Sequence, residues 1–106
     1  MRNVNILGTK YKVKEKKINN CDGYHDPSIN EIVVGKFEKE EGSLENLEAY
    51  KRKVLRHEVI HAFLYQSGLD INSEKAWARN EEMVDYFAIQ IPKIYKAFKE
   101  LNIDEI

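Results

Sequence analysis

Residues 57–61 read His57-Glu58-Val59-Ile60-His61. This pentad constrains the chain more than any other segment. On an α-helix, positions i and i+4 lie one turn apart on the same face. His57 and His61 can then aim both imidazoles at one metal ion. Glu58, beside them, is placed to take a proton from an activated water rather than to bind the metal. The flanking Val54, Leu55, Val59, Ile60, Ala62 and Phe63 are apolar. The spacing therefore predicts a helix with its apolar sides buried and its His/Glu face lining a cleft.

A hydrolytic zinc site needs a third protein ligand and an open fourth position. His25 is the only other histidine and Cys21 the only cysteine, so a cysteine cluster is excluded and a His₂Glu set is the natural candidate. Two imidazoles and a carboxylate select zinc over magnesium or calcium, one ion per chain. The acidic stretch Asn80-Glu81-Glu82-Met83-Val84-Asp85-Tyr86-Phe87-Ala88 supplies the carboxylate. Glu81 and Asp85 share a helical face. Glu81 is the expected third ligand, with Glu82 as the alternative one residue on. Asp85 is expected to accept the second ring N–H of a ligating histidine, the contact that fixes its tautomer.

This combination resembles the gluzincins, zinc peptidases in which H-E-x-x-H is followed by a glutamate on a second helix. Glu81 to Ala88 is similar to the E-x-x-A-[ND]-x-F-A segment of the ImmA/IrrE-type metallopeptidases of bacteria, phages and mobile elements, with Val84 in place of the usual alanine. The resemblance covers residues 54–64 and 80–88. It implies Glu81 as zinc ligand and Asp85 as the family's Asp/Asn position, and the pair Asn80-Glu81 echoes the thermolysin-like arrangement, with Asn80 supporting the ligand. It also implies a zincin-like fold in which an edge strand beside the active-site helix binds extended substrate. Residues 29–34 are expected in that part.

The chain has 106 residues, enough for one modest core, and is expected to form a single minimal domain over 1–106. No helix-turn-helix or receptor-like extra domain of the kind many ImmA/IrrE relatives carry is expected within these residues. Lys and Arg number 17 against 18 Asp and Glu, a net charge of −1. That balance gives no electrostatic case for nucleic-acid binding. The lysines between Lys10 and Lys17 alternate with other residues and read as the solvent face of a strand. No N-terminal apolar leader or membrane-length stretch is present, so no membrane partner and a cytoplasmic location are expected. One cysteine permits no intramolecular disulfide. Cys21 reads as a loop or small core residue.

The expected fold is α+β: an N-terminal antiparallel or mixed sheet, then the active-site helix, then a second helix carrying the third ligand. Strands are predicted at 3–7 and 10–18, joined by a hairpin at Gly8-Thr9. A turn follows at 19–23, then a short strand from Tyr24 broken at Asp26-Pro27, and the strongest strand at 29–34. A loop at 38–42 leads to Ser43 as N-cap, and a helix spans about 44–67 with Gly68 beyond its end. Asp70 to Ser73 read as a turn. A second helix covers 77–90, and Pro92 kinks it or opens a new helix over 92–101.

These residues are expected to form a zinc-dependent, endopeptidase-like metallopeptidase acting on a peptide or protein substrate, with Glu58 as general base. A second electrophile steadies the carbonyl oxygen in such sites; Tyr24, His25, Tyr65 and Tyr86 are the candidates. Trp77 is expected to pack between helices, with Arg79 beside the cleft. Residues 99–106 are a candidate cover for the cleft, and a regulatory protein partner is a second way to restrain such an enzyme. The rival reading is a non-catalytic zinc-binding accessory module of a phage or mobile element that binds a regulator.

Overall fold

The computed structural model describes residues 2–37 and 47–105. Four strands precede the helices: β1 (Arg2–Ile6), β2 (Thr9–Lys16), β3 (Gly23–Asp26) and β4 (Glu31–Gly35). Then come α1 (Leu47–Gln66), the single turn α2 (Leu69–Asn72), a 3-10 segment (Glu74–Arg79) and α3 (Glu81–Glu100). The architecture is the expected α+β. The predicted loop at 38–42, the Ser43 cap and the helix start at Leu44 lie outside the described residues.

The β1–β2 hairpin turns at Leu7 and Gly8, both at positive φ, one residue earlier than the sequence suggests. Paired positive φ values match the right-handed twist of the flanking strands. The Asn5 side chain fixes the turn by accepting from Gly8 N–H at 2.8 Å. Along β2, Tyr11 and Val13 face inward while Lys10, Lys12 and Lys16 face solvent, as the alternation requires.

The strand order is β1-β2-β4-β3, with β4 parallel to β2 and antiparallel to β3. This corrects one expectation. The apolar strand ending in Ile32, Val33 and Val34 is not an edge: it is paired on both sides and all three residues are buried. An uninterrupted apolar run is the pattern of a strand covered on both faces. The edge strand against α1 is β3. Gly23 sits where it crosses the helix, and an added Cβ would come within 2.9 Å of both Val33 O and Val54 Cγ1, and 3.4 Å from Glu58 Cγ. Only a glycine lets the strand lie this close.

One wall of the core is Ile6, Tyr11, Val13 and Ile32 of the sheet with Ala62 of α1. The other places Val84 and Ala88 of α3, both fully buried, on the helical layer. Helix α1 ends at Gln66, and Gly68 beyond it takes the left-handed conformation, as expected. The second helix starts later than predicted. Lys75 and Ala76 are left-handed, which breaks helical continuity at 77, and α3 begins only after Asn80.

Pro92 neither kinks α3 into two helices nor starts a new one; it lies inside a helix of 20 residues. Proline offers no N–H to the carbonyl four residues earlier, which is Ala88 O. Arg56 Nε of α1 donates to that carbonyl instead, at 2.5 Å. The vacancy in the helix ladder becomes a clasp between helices. Among the described residues no helix is long and apolar enough to cross a membrane.

Replacing Arg56 with Met should destabilise the fold by about 1–3 kcal/mol, because it leaves a partly buried carbonyl unpaired. In a Pro92→Ala background the new alanine supplies the missing N–H, and the same Arg56→Met change should cost about 1 kcal/mol less. Urea denaturation of the four proteins measures this coupling. Equal costs in both backgrounds would show that Arg56 acts through some other contact.

Candidate metal centre

Two helices build the centre. His57 and His61 lie one turn apart on α1, with ring centroids 4.8 Å apart and Nε2 atoms 3.1 Å apart. Glu81 opens α3. Asn80 caps that helix, its side chain accepting from Met83 N–H at 2.8 Å. This cap sets the first turn of α3 and aims Glu81 at the histidines; the Asn80 side chain itself bonds the helix backbone. Glu81 Oε1 lies 2.6 Å from His61 Nε2, and Oε2 lies 3.2 Å from His57 Nε2. One ligand atom from each residue falls within 4.8 Å of the others. Glu82, the alternative, lines a separate depression with Trp77 and Tyr86.

The donor set passes a simple test of fit. Tetrahedral zinc with bonds of roughly 2.0–2.2 Å keeps its ligand atoms about 3.3–3.5 Å apart. The contacts at 3.1 and 3.2 Å are close to this, and the contact at 2.6 Å needs less than 1 Å of opening. The exposed Glu81 side chain leaves room for that shift.

His57 Nδ1 lies 3.3 Å from Asp85 Oδ1. A ring N–H given to this carboxylate fixes the tautomer and leaves Nε2 as the electron-pair donor. The same oxygen takes an ion pair from Lys53 Nζ at 3.1 Å. That bond is the main reason Asp85 is held below the usual carboxylate range, with His57 adding to it. Burial lowers the His61 pKa; Glu81 opposes and His57 reinforces this. A neutral imidazole is the form a metal needs.

Glu58 is 8% exposed and lies outside the three-residue set. Burial pushes its carboxyl up to about 7; His57 pulls the other way and Glu81 adds to the rise. A group titrating near neutrality suits proton transfer.

A cavity of about 260 Å³ opens beside the centre, lined by His57, Glu58, Glu81 and Asp85. Its further walls were not singled out by sequence reasoning: Cys21, Asp22 and Gly23 before and within β3, and Tyr50 and Lys53 on α1. The signal for the α1 pair was present. Lys53 is one turn before His57, and Tyr50 is two turns before Glu58. Asp22 reaches the site only through the tertiary path of β3. Tyr50 donates to Asp22 Oδ2, a bond that pushes the phenol up to about 12. Cys21 is exposed in the loop.

None of the four candidate electrophiles lines this cavity. His25 faces α1, with Nε2 3.1 Å from Tyr11 Oη and its ring against Tyr65 at 5.7 Å. His61 is among the charges that lower its pKa, after burial. Tyr24 packs under Lys16. Tyr86 stacks on Phe87 and borders the depression with Trp77. Trp77 is 46% exposed rather than packed between helices, and Arg79 pairs with Asp70. Among the described residues, none from Lys99 onward lines the cavity.

Comparison with protein families, curated proteins and solved structures finds no match.

Glu58 makes the metal-free protein pH-sensitive in a defined window. Its folded pKa of about 7 exceeds the usual 4.5, so the folded state holds the extra proton between these values. Stability should therefore fall as pH rises from 4.5 to 7, by up to about 3 kcal/mol. In thermal melts with chelator, Glu58→Gln should lack this component and be the more stable protein at pH 7. Parallel pH profiles for both proteins would contradict the assignment.

Proposed function

We propose that this chain is a zinc-dependent metallopeptidase of the gluzincin type, as its likeness to the ImmA/IrrE-type segment implies. The observation that carries the reading is the convergence of His57, His61 and Glu81 from two helices, with the buried Glu58 beside them. A purely structural zinc module would leave Glu58 without a task.

His57, His61 and Glu81 would hold the ion. Zinc so held supplies Lewis acidity, lowering the pKa of water toward about 7 and polarising a carbonyl. Glu58 accepts the proton of the attacking water and passes it to the leaving amine. Asp85, itself held by Lys53, keeps the His57 ring oriented. Strand β3 is bonded to β4 on one side; among the described residues no strand pairs its other edge, which would take an extended peptide by strand addition. The close approach at Gly23 puts that strand next to Glu58. The substrate class is thus an extended peptide or a loop of a protein.

Glu58→Gln should keep its metal and lose at least about 100-fold in turnover on a peptide library, since it removes the base and no ligand. Glu82→Ala should leave both unchanged. Full activity of the Glu58→Gln variant would remove Glu58 from the mechanism.

A further inference from the structure

Helix α3 outruns the domain it packs on. Val84 and Ala88 are fully buried, and the same stripe continues at 91, 94, 95 and 98 by the 3.6-residue period. There it is uncovered: Ile91 is 42% exposed, Tyr95 50% and Phe98 44%. The helix ends in a reversal. Asn102 is left-handed, Asn102 N–H bonds Lys99 O, and Ile103 N–H bonds Phe98 O. This Schellman pattern folds Ile103 back beside Phe98. With Leu101, 69% exposed, the two make an apolar knob. Asp104 and Glu105 follow it immediately.

A groove of matching character lies at the middle of the same helix. Val59, Phe63 and Ile91 form its apolar lining and Arg2, Arg52 and Arg56 its charged rim, around a volume of about 520 Å³. Among the described residues neither Arg2 nor Arg52 pairs with a carboxylate. Arg56 is held by Ala88 O through Nε, which leaves its other N–H groups for an acceptor. An apolar groove with a cationic rim fits an apolar knob followed by two carboxylates.

We propose that the occupant is a second copy of this chain, the two α3 helices packing antiparallel so that each Phe98/Leu101/Ile103 knob seats in the other's arginine-rimmed groove. The spacing closes the pair. In a two-fold antiparallel pair centred near residue 97, Ile91 of one copy lies opposite Ile103 of the other. Each knob therefore meets the partner's groove, and both contacts form together. Asp104 and Glu105 then face Arg2, Arg52 and Arg56, a steering that salt weakens. The pairing is independent of the metal centre, whose cavity shares no lining residue with the groove.

Sedimentation velocity on the chain tests this. The expected result is a dimer whose dissociation constant rises with salt. Leu101→Asp should raise it at least about tenfold, with unchanged helicity since that side chain is exposed. Arg2→Glu with Arg52→Glu should also weaken the dimer, and adding Asp104→Lys and Glu105→Lys to that pair should restore assembly. A monomeric wild type, a dimer indifferent to Leu101→Asp, failure of the charge reversal to restore pairing, or open-ended assembly would each overturn the proposal.

Discussion

One carbonyl organises the helical layer. Ala88 O loses its partner within α3 because Pro92 follows four residues later, and Arg56 of α1 takes the place. The bond joins the helices one residue before His57 on α1 and two turns after Glu81 on α3. With Val84 and Ala88 buried on the same face, it sets the two helices side by side and antiparallel. Glu81 then meets His57 and His61, and Asp85 meets His57 and Lys53. A proline that would weaken an isolated helix here directs a cross-helix bond.

The sheet contributes by proximity. β4 is buried between β2 and β3, which leaves β3 as the strand that crosses α1. Gly23 lets it pass against Val54 and Glu58 without a side chain between. Burial raises the Glu58 pKa, while the cavity beyond Gly23 remains open beside His57 and Glu81. A buried carboxyl and an open cavity meet at the same close approach.

Much of this is legible in the residues. The i, i+4 spacing of His57/His61 and of Glu81/Asp85 places each pair on one helical face, and the structure brings the two faces together. Gly68 marks the end of α1, and lysine alternation marks the outer face of β2. Other features depend on long-range contacts. Strand order is a tertiary property: position before the helix suggests β4 as the edge, although its unbroken Ile32-Val33-Val34 run already favours a central strand. The continuity of α3 through Pro92 depends on Arg56, distant in sequence. The late start of α3 reflects left-handed Lys75 and Ala76, residues that carry no such signal. Asp22 and Cys21 reach the cavity only because β3 runs along α1.

Zinc content tests the central claim most directly. Purified protein, reconstituted with zinc and dialysed, would be assayed by inductively coupled plasma mass spectrometry beside His61→Ala and Glu81→Ala. The account predicts about one zinc per chain in the wild type and loss of it in both variants. A wild type that retains none, or variants that retain it fully, would contradict a metal centre built from these two helices.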